Sequence, residues 1–163
     1  MPTTPALISF LQAREAFRAK AYDDKQPHLE LEAGDEDKVK GKITIGYGTT
    51  RYPNGKLVQL GDEINHSQAL DYLTRFVREE VDPVLENLIH RKLTEDQYDA
   101  LGSVVYNFGA DEVSSWRLWG RINRDEPGEA IATEWMDGTW TSDDEPMEGL
   151  YKRRLMEVLW FFG

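Results

Sequence analysis

Hydrophobic and polar positions alternate along this chain with two different periods, and the change of period divides it. Leu7, Phe10, Leu11 and Phe17 form a helical stripe behind a Thr4-Pro5 start signal. This predicts a first helix ending near Ala19 to Tyr22. Asp23 to Gly41 carries no periodicity and is broken by Pro27 and Gly34. Lys42 to Thr50, then Tyr52 to Val58 around an Asn54-Gly55 turn, is rich in β-branched and aromatic residues and predicts a small antiparallel sheet.

From Asn65 the period returns to that of a helix and stays there. Asn65 with Gln68, and Thr94 with Gln97, have the spacing of capping boxes. Asp82-Pro83 restarts a short helix, and Gly109 stops the one that Thr94 opens. Trp116 to Ile122, Pro127 to Trp135 and Gly149 to Phe161 predict three more helices. The fold class expected is α+β, mainly α. One domain spans 1–163, with a helix and small β lobe over about 1–64 and a helical lobe over about 65–163. That layout predicts a cleft with residues 20 to 60 as one wall.

Composition narrows the function. The 163 residues hold no cysteine, so disulfides and thiolate chemistry are excluded. A net charge of −11 argues against a nucleic-acid partner, which needs the opposite sign. No apolar run approaches the roughly 18 residues of a membrane span, and the N-terminus has no signal-peptide pattern. The sequence also lacks a His-Glu-x-x-His zinc motif, a Walker loop and a Gly-x-Ser-x-Gly elbow. His28, His66 and His90 read as surface residues.

Candidate chemistry begins with Glu15. It extends the Leu7–Leu11 stripe of the first helix, where partial desolvation suits a general acid. On this feature alone an ordinary i,i+3 pair with Arg18 is the favoured reading. Asp23 and Asp24 start the following loop and supply a second carboxylate, or simply a solvated turn. Thr44 opens the strand Ile45-Gly46-Tyr47-Gly48, where a hydroxyl can share a water with a neighbouring carboxylate. It also fits an ordinary hairpin threonine.

Taken in order, these residues resemble a known family. Glu15-Ala16-Phe17-Arg18-Ala19-Lys20-Ala21-Tyr22-Asp23-Asp24, then Thr44-Ile45-Gly46-Tyr47-Gly48-Thr49-Thr50, is similar to the active-site signature of phage-type lysozymes, the endolysins of glycoside hydrolase family 24. Leu93 to Leu101 with Tyr106-Asn107-Phe108-Gly109 resembles that family's central helix. Gly149 to Arg154, then Glu157, resembles its C-terminal helix. The resemblance covers essentially the whole chain. It departs from the family pattern at Ala16 for glycine, at Thr49 for histidine, and in a longer stretch between Asp24 and Thr44. That stretch, near Lys25 to Lys42, is expected to be a solvated loop or a flap over the sugar cleft. A calcium site at Asp35-Glu36-Asp37 fits no EF-hand spacing.

The resemblance implies a lysozyme-like two-lobe fold and a muramidase that cuts the β-1,4 bond between N-acetylmuramic acid and N-acetylglucosamine in bacterial peptidoglycan, without cofactor or metal. It implies Glu15 as catalytic acid, Asp24 as the carboxylate that positions water, and Thr44 sharing that water. An inverting reaction would separate the two carboxyl groups by roughly 6.5–9.5 Å. Thr50, Tyr106 and Asn107 are implied in substrate binding, and Arg153 or Arg154 as a partner of Glu15. The expected setting is a monomeric endolysin made in the host cytoplasm and acting in the periplasm, with peptidoglycan strands as partner and neither nucleic acid nor membrane insertion. A silent peptidoglycan-binding module and a tail or toxin lysozyme domain stay open as alternatives.

Charge is uneven along the chain. Residues 1–60 carry nine basic and eight acidic groups, whereas residues 111–148 carry three basic and eleven acidic. The acidic excess therefore lies outside the segment that holds Glu15, Asp24 and Thr44.

Overall fold

The structure, a computed structural model, describes residues 2–142 and 145–163. The chain divides into two compact units, Ile8–Phe76 and a second made of the first seven residues with Val77–Gly163.

Helix α1 (Pro5–Arg14) starts at the expected cap, where Thr4 Oγ1 accepts the Ala6 N–H at 3.1 Å. It buries Leu7 and Leu11 one turn apart. It ends five or more residues earlier than the stripe predicts. The last helical bond is Glu15 N–H to the Leu11 carbonyl, at 2.8 Å. The chain then enters strand β1 (Arg18–Asp23), which pairs antiparallel with β2 (Ile43–Gly46).

Local propensity favours helix in the Ala-Lys-Ala stretch, but strand partners on two sides outweigh it. Tyr22 faces Thr44 and Asp23 faces Ile43 across the β2 edge. On the other edge Ala21 N–H donates to the Asp62 carbonyl at 3.0 Å, and Ile64 N–H donates to the Ala19 carbonyl at 2.9 Å. Ala21 is buried between them.

The Asn54-Gly55 turn forms as read, bridging Arg51 to Leu57. The main partner of β2, however, is β1 rather than this hairpin. A narrower turn follows β2, closed by reciprocal bonds between Ile45 and Thr49 at 2.8 and 2.9 Å. Gly46 sits there at φ +64°, and a Cβ would lie 3.0 Å from Ile64 Cδ1 and 3.1 Å from Ala69 Cβ. This glycine thus allows close packing against Ile64 and helix α2 (His66–Phe76).

The second unit is helical. A π-helical turn at Val77–Val81 leads into α3 (Asp82–Leu88). Helix α4 (Glu95–Phe108) is its axis, with every residue from Tyr98 to Val105 buried. Such all-round burial marks a core helix, unlike the one-sided stripe of a surface one. The Thr94–Gln97 capping box is complete, with both reciprocal bonds present. The remaining helices are α5 (Ala110–Val113), α6 (Leu118–Asn123), α7 (Gly128–Met136) and α8 (Glu148–Phe162), with two-residue strands β3 (Thr141–Ser142) and β4 (Glu145–Pro146) before α8. Helix α8 lies along α4 and also contacts α7. Neither the single-turn α5 nor the second small sheet carries a sequence signal.

The first residues are tied into this unit by buried acids. Thr3 N–H donates to Asp82 at 3.0 Å, and Thr4 donates to Asp99 through its N–H at 2.7 Å and through its hydroxyl. Burial pushes the Asp99 carboxyl above the usual carboxylate range against the pull of those bonds.

A second buried group joins α4 to α8. Glu157 is fully buried, and its Oε1 accepts from the Ser103 hydroxyl at 2.5 Å, Arg154 Nη2 at 2.7 Å and Arg153 Nε at 3.3 Å. The Arg154 guanidinium also sits 4.8 Å over the Phe108 ring. Burial opposes both charges. It raises the Glu157 carboxyl and lowers Arg154 to about 10, while their mutual attraction pulls the other way.

Candidate active site

Glu15 lies one residue past the end of α1, not on its apolar face as the periodicity suggests. It is half-buried there. The early helix end puts it in the short turn that leads into β1.

Asp24 begins the loop just after β1 and is exposed. Its backbone and side chain both engage one residue across the sheet. Asp24 N–H donates to the Lys42 carbonyl at 3.1 Å, and Asp24 Oδ1 accepts the Lys42 N–H at 2.8 Å. Thr44, buried at the start of β2, donates its hydroxyl to that same Lys42 carbonyl at 3.2 Å. Asp24 and Thr44, twenty residues apart, thus meet on the backbone of Lys42.

Tyr22 reports on the neighbourhood. Burial raises its hydroxyl pKa most, Arg18 lowers it, and the negative charges of Glu15 and Asp24 raise it further. The Arg18 guanidinium lies 4.2 Å over the Tyr22 ring and donates to the Pro27 carbonyl at 3.0 Å. Glu15, Tyr22 and Asp24 therefore share one electrostatic environment within the first unit.

Asp23 is the feature that motif reading passed over. It is fully buried. Its Oδ1 accepts the N–H groups of Lys25 at 3.0 Å and Gly41 at 2.9 Å, and its Oδ2 accepts Lys40 N–H at 2.7 Å and Gln26 Nε2 at 2.6 Å. Burial alone would raise this carboxyl, but the four donors outweigh it and hold it at about 2. One carboxylate so closes the base of the 25–42 excursion. Two adjacent aspartates offer no sequence cue as to which turns inward.

The excursion is a folded loop with one 3-10 turn at Glu36–Lys38. Leu31 is its buried anchor. Between it and β1 lies a cavity of about 500 Å³ whose walls include Phe17, Tyr22, Leu29 and Leu31. Phe17 stacks on the His66 ring with centroids 3.7 Å apart, so this exposed histidine has an aromatic partner.

Thr50 is half-buried, and its carbonyl accepts Val58 N–H at 3.0 Å. Tyr106 and Asn107 lie near the C-terminal end of α4 in the helical unit, both half-buried. Asn107 Oδ1 is a buried acceptor with no hydrogen-bond partner among the described residues. Arg153 and Arg154 both bond Glu157. Among the described residues no cluster of three or more His, Asp or Glu could hold a metal ion, and no helix is long and apolar enough to cross a membrane.

Comparison with known proteins completes the picture. The chain matches the model of the phage lysozyme family over residues 12–157. An endolysin of Acyrthosiphon pisum secondary endosymbiont phage 1 is 32% identical over 123 residues, covering 74% of this chain and 80% of that protein. An endolysin from Escherichia coli O157:H7 phage FAHEc1 superposes with a TM-score of 0.81 at 26% identity, over 99% of this chain and 93% of that one. A P22 lysozyme variant shares the fold, with a TM-score of 0.77 at 24% identity over 100% and 99% of the two chains. Fold and sequence together define a glycoside hydrolase of lysozyme type. It is mostly helical with a small antiparallel sheet, the fold class expected. More particularly, this chain belongs to the phage lysozyme family.

Proposed function

We propose that this muramidase hydrolyses the β-1,4 bond between N-acetylmuramic acid and N-acetylglucosamine with inversion, using Glu15 as acid and Asp24 with Thr44 to hold the attacking water. The observation that carries the assignment is the convergence of Asp24 and Thr44 on Lys42. A carboxylate whose Oδ1 is held by a backbone N–H has a set orientation, and its second oxygen is the one that takes the water. The Thr44 hydroxyl, oriented by the Lys42 carbonyl, gives that water a second contact. Glu15 enters from the α1–β1 turn and protonates the leaving glycosidic oxygen while water attacks the opposite face of the sugar.

Thr50, Tyr106 and Asn107 contact the glycan in this reading. The setting is host lysis, with synthesis in the host cytoplasm and action on the periplasmic wall.

Digestion of purified sacculi tests the proposal, with reducing ends measured for wild type and Glu15→Gln and the released anomer read by NMR. Wild type should release N-acetylmuramic acid ends as the α anomer, and the variant should be slower by about 10²–10⁴-fold, the usual share of a general acid. An active Glu15→Gln, or a β product, would overturn the respective assignment.

A further inference from the structure

We infer that Asp23 is a positioning residue for the reaction: by closing the base of the 25–42 excursion, it sets the orientation of the neighbouring Asp24 carboxylate through Lys40, Gly41 and Lys42. This inference rests on the reading of Asp24 as the water-holding carboxylate.

The path is continuous and short. Asp23 fixes the N–H groups of Lys40 and Gly41 at 2.7 and 2.9 Å. The next residue, Lys42, donates to Asp24 Oδ1 at 2.8 Å and accepts from both Asp24 N–H and the Thr44 hydroxyl. Asp23 itself is fully buried at this junction and does not reach the surface.

Gly41 shows how tight the junction is. A Cβ there would fall 1.9 Å from Asp24 Oδ1 and 2.7 Å from Asp23 Oδ1. The two carboxylates therefore close on Gly41 from adjacent positions. An amide in place of the Asp23 carboxylate cannot reproduce the arrangement. Each oxygen accepts two donors, and an amide nitrogen would turn two hydrogens toward two of them.

The experiment is a kinetic cycle on purified sacculi with Asp23→Asn, Asp24→Asn and the double variant, each checked as folded at the assay temperature by circular dichroism. Asp24→Asn should lower kcat by about 10²–10⁴-fold. Asp23→Asn should lower kcat by roughly tenfold to a hundredfold, the order expected when a reacting group is displaced by about 1 Å. Its KM should stay near wild type, because Asp23 does not meet the sugar. The double variant should be no slower than Asp24→Asn, since Asp23 acts only through Asp24.

A wild-type kcat for Asp23→Asn, or a double variant slower than Asp24→Asn by the full single-variant factor, would overturn the inference. A wild-type kcat for Asp24→Asn would instead overturn the catalytic reading beneath it. Gly41→Ala probes the same junction with both acids intact, should Asp23→Asn fail to fold. It too should lose kcat with KM preserved, and a fully active Gly41→Ala counts against the inference.

Discussion

Replacing Glu157 by glutamine tests the energetics of the helical unit. The side chain is fully buried, and its Oε1 accepts from Ser103, Arg153 and Arg154 together. Breaking a buried ion pair from one side costs about 3–5 kcal/mol, because the surviving charge stays buried. Glutamine keeps one carbonyl, which can still accept from Ser103 or Arg154. The Phe108 ring also keeps its contact with the guanidinium. Both arguments favour the low end, so a loss of about 3 kcal/mol is expected. For a chain of this size that is a fall in Tm of roughly 6–12 °C.

Ser103→Ala removes only the hydroxyl bond and should cost less, about 1.5 kcal/mol for a hydrogen bond to a charged group. Urea unfolding followed by far-UV circular dichroism measures both. If Glu157→Gln stays within about 1 kcal/mol of wild type, the buried guanidinium has another means of compensation and the reasoning from pair breaking fails.

Three further outcomes follow from the geometry. Gly102→Ala should destabilise by about 1–3 kcal/mol, the usual cost of overpacking, because its Cβ would fall 2.6 Å from Leu7 Cδ2; a melting curve checks it. The Asp23 carboxyl is held at about 2, below its ordinary value near 4. Its stabilisation of the loop is therefore complete above the unfolded value and lost as pH falls through about 2. Amide exchange at Lys40 and Gly41, followed by NMR on acidification, should show protection falling in that window in wild type and no such step in Asp23→Asn. Lytic rate should rise with added salt up to roughly 0.1 M, where the screening length is about 10 Å, because residues 111–148 carry eleven acids against an anionic wall. A monotonic fall with salt would contradict that reading.

What could be read from the sequence was what is decided locally. Asn65 and Gln68 exchange their two capping bonds at 3.0 and 2.8 Å, and Thr94 with Gln97 do the same, because all partners lie within one turn. The mainly helical fold class follows from such signals. The end of α1 does not. It is set by Asp62, Ile64 and Gly46, tens of residues away, which take the backbone of Arg18–Asp23 into a sheet. The same distance hid the role of Asp23, whose decisive donors are Lys40 and Gly41. Periodicity placed Glu15 on a helix that had already ended, although its motif position, nine before Asp24, was plain. The close packing at Gly46 was hidden in the same way, because its neighbours, Ile64 and Ala69, belong to a later segment.

The excursion between Asp24 and Thr44 has, in effect, a neck and a head with separate chemistry. The neck is the Asp23 carboxylate and the amides it gathers. The head is fastened by its own bonds, Lys38 Nζ to Asp35 at 2.7 Å and Gly34 N–H to Glu36 at 3.0 Å. Lengthening a loop costs only about 0.6 kcal/mol per doubling once its ends are held together. A peptide inserted beside exposed Gly34, with the glycine itself kept for its φ of +103°, would therefore leave the neck in register. The head is then a tolerant graft point beside the proposed site, a place to attach a wall-targeting sequence without disturbing the neck.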